Sequence, residues 1–160
     1  MIDWYPVIKL IHIMNVTILF GTGIGIAIFS LWAHMTNDVK IIAYTFKKTV
    51  LADLIFTTPA IIIQPVSGLL LVHYQGYDLF ETWLCISYIL YLIAGLCWLP
   101  VVWLQIQIRN ITHQTLVNES QQLPDKYYNF FYIWFILGPY FVYILPILIL
   151  YCVYIWLYLA

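Results

Sequence analysis

The chain has 160 residues, of which 64% are hydrophobic and only 8% charged, and its net charge is −1. A soluble domain carries roughly 25% charged residues, so this chain cannot cover itself with a wetted surface; its mean hydropathy is +0.93. The composition implies an all-α integral membrane protein, and without a basic excess it excludes nucleic acid as a partner.

A helical span needs roughly 20 apolar residues. Four segments qualify, at about residues 6–33, 51–73, 83–108 and 128–159. They form one domain with no repeat, a four-helix transmembrane bundle in the lipid bilayer. The first segment has no basic leader or small-residue cleavage site, and its apolar run is too long for a signal peptide, so it is expected to be retained. It contains LFGTGIGIAIF, with Gly21, Gly23 and Gly25. A dinucleotide fingerprint needs G-x-G-x-x-G between strand and helix; here the third glycine is misplaced and no strand precedes it. Gly21 and Gly25 instead read as G-x-x-x-G, which lets helix backbones approach in a membrane. Their partner is a helix of the same chain or of a second copy, so a homo-oligomer through Gly21 and Gly25 is one expectation.

A connection is expected over 34–50, with Lys40, Lys47 and Lys48. The next, over 74–82, holds Asp78 and Glu81 and no base, and the third runs from Arg109 to Lys126, its polar part 110–122 being a surface helix or a loop. Five bases in the first and third connections against none in the second place those two in the cytoplasm and both termini in the periplasm; Lys9 is the one opposing charge. The fourth segment is long for one span, and kinks are expected at Pro139 and Pro146. Cys85, Cys97 and Cys152 lie in apolar runs without a C-x-x-C and read as packing residues. The glycosylation-type triplets at Asn15, Asn110 and Asn118 carry little information, since Asn15 falls inside a span.

Polar groups at membrane depth are expensive and need a partner or a task. At 100° per residue, Tyr5, His12, Asn15, Gly23 and Ser30 share one face of the first span. Asp53, Thr57, Ala60, Gln64 and Gly68 share a stripe of the second, and Tyr88, Tyr91, Gly95, Trp98 and Gln105 a stripe of the third. Such stripes describe either interhelical hydrogen bonding or a cofactor-lined interior. Asp53 and Arg109 lie at the same end of their spans and are expected to pair, which neutralises two costly charges; the alternative for them is proton transfer. His34 and His113 fall at loop margins and are expected to be solvated. His12, two turns into the first span, is either a hydrogen-bonding packing residue or an axial ligand for non-covalent haem b. His73, at the same end, is a candidate second ligand; Asn15, Tyr88 and Tyr91 are candidates to line the site. No H-E-x-x-H, C-x-x-C-H or G-x-S-x-G motif is present, so no catalytic residue is assigned.

The blocks KLIHIMNVTILFGTGIGIAIF, ADLIFTTPAIIIQPVSGLLL, YLIAGLCWLPVVWLQIQIR and LPDKYYNFFYIWFILGPYF resemble, in order, a family of predicted bacterial integral membrane proteins of unknown function. That resemblance implies a four-span protein of the inner membrane and brings no activity with it. A more distant similarity runs to HemJ- and CopD-type membrane proteins. HemJ proteins carry K-x-L-H in the first span, matched here by the K-L-I-H of Lys9 to His12, and a P-A-M block ahead of a Gly-Leu pair, matched by Pro59, Ala60 and Ile61 ahead of Gly68 and Leu69. HemJ is a haem b protoporphyrinogen oxidase, and the resemblance transfers its proposed ligand role to His12 alone. HemJ's W-F-A-G-L-F-Y-L-P-R block is missing, Leu19 to Gly25 standing in its place, and its second proposed ligand, a lysine, has no counterpart. Two function classes follow: a haem-bearing redox protein exchanging electrons with quinone or a redox partner, and a non-enzymatic membrane subunit or transporter accessory.

Overall fold

The computed structural model describes residues 3–139 and residue 147. Helix α1 covers Tyr5–Met35. Helix α2, Val39–Ala52, runs through a π-helical turn at Asp53–Thr57 into α3, Thr58–Gln75. Helix α4 covers Thr82–Val117 and α5 covers Asp125–Pro139. Among the described residues there is no strand. Three rods are long and apolar enough to cross a membrane: α1, the continuous α2–α3 rod and α4. The all-α membrane bundle implied by composition is therefore what the chain forms. The expected fourth span is described only as far as Pro139; Pro146 and Cys152 lie outside the described residues.

The connection expected over 34–50 is mostly helix. Thr36, Asn37 and Asp38 make the turn, with Asn37 in the left-handed region at φ 53°. The Asp38 side chain then caps α2, accepting from the backbone N–H of Lys40 at 2.7 Å and of Ile41 at 3.4 Å, the usual role of an aspartate at a helix start. Val39, Ile42, Ala43, Phe46 and Thr49 are buried on one face at helical spacing, while Lys40, Lys47 and Lys48 are exposed. Three lysines in a short stretch suggest a loop by composition, but their 3.6-residue phase makes them the outer face of an amphipathic helix. Likewise α4 continues through the polar stretch to Val117, burying Thr112 and Thr115. Both hydroxyls bond back to carbonyls of the preceding turn. At 1.5 Å per residue, the 37-residue α2–α3 rod is about 55 Å long against a hydrocarbon core of about 30 Å. The rods therefore extend beyond the lipid.

The two ends of the bundle are built differently. Ile26, Ala33, Ile42, Phe46, Val101, Leu104, Ile108, Tyr127, Phe131 and Trp134 form one buried cluster from α1, α2, α4 and α5. It lies at the end that carries Lys47, Lys48 and Arg109. His34 belongs to this packing rather than to solvent. Its Nδ1 is 2.9 Å from the Tyr127 hydroxyl, and its ring stacks on Phe131 with centroids 3.9 Å apart. His113 is exposed, as its position suggested. Toward the other end α3 packs on α1, and the first turns of α4 expose Ile86, Ile89, Leu92 and Leu96. There α3 stops at Gly76, whose φ of +72° suits glycine; Gly76 N–H bonds the His73 carbonyl and Tyr77 N–H that of Val72, both at 3.2 Å, a glycine-terminated C-cap.

The aromatic cluster sets an expectation for stability. Phe46 is fully buried against Phe131 and Trp134, so Phe46→Ala should lower stability in detergent by about 3–5 kcal/mol, as for a buried phenylalanine in a water-facing core. Tyr44→Ala, at a side chain 65% exposed on the same helix, should change it by less than about 0.5 kcal/mol. Denaturant titration followed by tryptophan fluorescence measures both.

Candidate functional site

Two groups of polar side chains lie within the spans. The first joins α1 to α3 through a chain of hydrogen bonds. Asn15 Nδ2 donates to the Ala60 carbonyl at 2.7 Å and to Gln64 Oε1 at 2.9 Å. Gln64 Nε2 lies 3.0 Å from His12 Nε2, and His12 Nδ1 lies 2.9 Å from Ser67 Oγ. Ser67 Oγ in turn donates to the Ile63 carbonyl at 2.8 Å. Amide nitrogen can only donate, so His12 Nε2 is the acceptor and Nδ1 carries the proton. The chain then runs in one direction, from Asn15 through Gln64, His12 and Ser67 to the α3 backbone, and it requires a neutral imidazole. Tyr5 and Gln75 close the same helix pair at its end, Gln75 Nε2 donating to the Tyr5 hydroxyl at 2.6 Å.

Close approach at this contact comes from Gly68. A Cβ built there would stand 3.3 Å from His12 Cε1, so the imidazole rests almost on the α3 backbone. At Gly21 and Gly25 an added Cβ would meet nothing within 4 Å. No described helix of this chain packs against those two glycines. The close approach expected at Gly21 and Gly25 is made instead by Gly68, the single glycine on the stripe that also carries Gln64.

The sequence-derived site residues are partly brought together. His12 and Asn15 share Gln64. Tyr91 reaches the same region, its hydroxyl donating to the Ile61 carbonyl on α3. Tyr88 is 38% exposed. His73 is exposed and does not join His12. It stands six residues beyond Ser67, about 9 Å along the axis and about 240° around it. As placed, His12 has no free ring nitrogen for a metal and no second histidine beside it. Among the described residues no three His, Cys, Asp or Glu side chains cluster as metal ligands.

The second group surrounds the π-helical turn. Thr57 Oγ1 donates to Asp53 Oδ1 at 2.7 Å, and Thr58 Oγ1 to the Asp53 carbonyl at 3.0 Å. Gln105 of α4 faces the same carboxyl. It is 1% exposed, yet its amide nitrogen reaches hydrogen-bonding geometry with no described neighbour. The expected Asp53–Arg109 ion pair is not formed. The Arg109 Nε and Nη2 donate instead to Asn110 Oδ1 at 3.2 and 2.9 Å. Four residues of α4 carry the guanidinium about 6 Å toward the basic end, and Gln105 takes the position facing the carboxyl.

Residues 6–154 match a family model described as predicted integral membrane protein (DUF2269). The chain belongs to the DUF2269 family. No curated protein and no solved structure matches it, and a similarity to HemJ-type proteins is not shown. The structure adds to DUF2269 membership the α1–α3 hydrogen-bond chain and the polar π-helical turn.

Interhelical hydrogen bonds in membranes average about 0.6 kcal/mol and reach about 1.7. A double-mutant cycle of Asn15→Ala and Gln64→Ala should therefore give a coupling of about 1 kcal/mol. Thr17→Ala, at a hydroxyl bonded only to Ile13 of its own helix, should show no coupling to Gln64→Ala. Detergent unfolding of the four single and double variants measures it.

Proposed function

We infer that this DUF2269 protein is a non-enzymatic membrane subunit or transporter accessory of the bacterial inner membrane, its architecture held by polar helix pairing. The observation that carries this reading is the use of His12: both ring nitrogens are engaged by α3 side chains, leaving none for chemistry. Its test is an absorption spectrum of protein purified after expression with ample haem. The expected spectrum is colourless above the aromatic band, and His12→Ala loses stability alone. A Soret band in wild type that disappears in His12→Ala overturns the reading.

A second reading has His12 bind haem b and the protein exchange electrons with quinone. Ser67, which bonds His12, also lines an apolar groove of about 210 Å³ with Ile8, Ile11, Ile62, Ile63, Val66 and Leu70. Ligation would require His12 Nε2 to leave Gln64. His73 would need a larger movement to serve as second ligand. A low-spin spectrum lost with either histidine is what this reading expects.

The orientation follows the charges. Lys40, Lys47, Lys48, Arg109 and Lys126 belong to the end we assign to the cytoplasm, and the 76–81 connection, with Asp78 and Glu81 and no base, to the periplasm. A membrane-impermeant thiol reagent should label Asp78→Cys and not Lys48→Cys in intact cells. The open Gly21–Gly25 face is the proposed homo-oligomer contact. Gly21→Leu should reduce the oligomer seen by native mass spectrometry, while a monomeric wild type removes that proposal.

A further inference from the structure

We propose that Asp53, with Thr57 and Gln105, forms a proton-binding carboxyl site inside the membrane, one that holds the neutral acid at pH 7 and exchanges its proton. Three independent observations meet there. An ionisable side chain within a span is expensive unless it is neutral or paired, and no cation pairs with Asp53 among the described residues. The backbone carries a π-helical turn at this residue, a feature frequent at functional sites. The Gln105 amide of α4, 1% exposed, lies within reach of the carboxyl, but its nitrogen stops short of hydrogen-bonding geometry with any described neighbour.

The unused donor gives the site its chemistry. In the neutral acid Thr57 satisfies one carboxyl oxygen, and the Gln105 amide waits. When the proton leaves to water, the carboxylate gains acceptor capacity, and Gln105 Nε2 is the donor in place to meet it. Few other charged groups face the turn. Helix α1 has no titratable side chain between His12 and His34, and α3 none before His73. Helix α4 carries Cys97 on one side and Arg109, bonded to Asn110, on the other, and the α2 lysines nearest the turn, Lys47 and Lys48, are exposed. The outer face of the turn is Leu51, Leu54, Ile55 and Phe56, all exposed apolar side chains, so lipid reaches the site from outside the bundle. This inference is independent of the subunit reading, and neither the haem spectrum nor the oligomer test bears on it.

Dicyclohexylcarbodiimide is the probe, because it partitions into lipid and reacts with protonated carboxyls. The acid proton passes to a carbodiimide nitrogen, the carboxyl oxygen adds to the central carbon, and the adduct rearranges to a stable acylurea with no leaving group. Full-length protein in liposomes is treated at several pH values and mapped by mass spectrometry. At pH 7 Asp53 should label at least tenfold faster than Asp3, Asp38, Asp78, Glu81, Glu119 or Asp125, and a water-soluble carbodiimide should reverse that preference. Labelling should fall as pH rises, and Gln105→Leu should raise the pH at which it halves. Infrared spectra should show a protonated carboxyl C=O stretch at pH 7 that is absent from Asp53→Asn. Asp53 labelling no faster than Asp125, or no protonated carboxyl band in folded wild type, overturns the proposal. An unchanged midpoint in Gln105→Leu overturns the part assigned to Gln105.

Discussion

Lipid tails are as apolar as leucine, so burying leucine between helices gains little inside a bilayer. The whole bundle is arranged around that constraint. Where α1 and α3 meet, the contact is made by His12, Asn15, Gln64 and Ser67, and large apolar side chains such as Leu10, Met14, Ile62 and Val66 face outward. Toward the basic end, aromatic and branched side chains interlock instead, and Ile42, Phe46, Ile108, Tyr127 and Phe131 become fully or almost fully buried. Association is therefore polar at one end and apolar at the other, the reverse of what residue hydropathy alone would place at each depth.

The π-helical turn follows from asking one rod to serve both ends. Helix α2 packs against α4 and α1, whereas α3 packs against α1. An unbroken α-helix would carry the α2 contact face into α3 at a fixed phase. A wider turn at Asp53–Thr57 rotates the faces that follow it, so Phe46 and Thr49 serve the aromatic core while Ala60, Gln64 and Ser67 meet α1. Pro59 follows the turn directly and has no N–H to give to the carbonyls one turn back, so the gap in the ladder falls at the widened turn. The turn also brings Thr57 onto the Asp53 carboxyl, its hydroxyl donating at 2.7 Å.

Much of this was legible from hydropathy and phase. The all-α bundle, three of the spans, the α1 face with Tyr5, His12, Asn15 and Ser30, and the α3 stripe with Gln64 follow from a 100° step and the cost of polar groups in lipid. The α2 helix was obscured because its three lysines dominate the composition of a short stretch, although Ile42, Phe46 and Thr49 carry the helical phase. His34 was misjudged for a related reason: its neighbours in space, Tyr127 and Phe131, are more than 90 residues away in sequence. Pairing Asp53 with Arg109 matched charges and ends but not phase, since four residues separate Arg109 from Gln105. The role of Gly68 could not be separated from that of Gly21 or Gly25 without knowing which helix lies opposite.

The two polar groups differ in what they leave over. In the His12 chain each donor meets an acceptor, and the direction of the bonds fixes the tautomer, so the group is closed: adding a proton to His12 Nε2 would set it against the Gln64 amide, and turning that amide would set it against Asn15. At the π-helical turn the bonding is unfinished, with one hydroxyl on Asp53 and one buried amide nitrogen without a partner. A closed network holds helices in register and resists any ligand that needs its atoms. An unfinished one can gain a bond when charge appears, which lowers the barrier to forming that charge in a medium that otherwise forbids it. The Ser30 hydroxyl and the Trp134 indole N–H are also buried without a described partner, but only Gln105 places such a group beside a carboxyl, so the spare capacity that can answer a charge lies with Asp53 and Gln105, and not with the histidine.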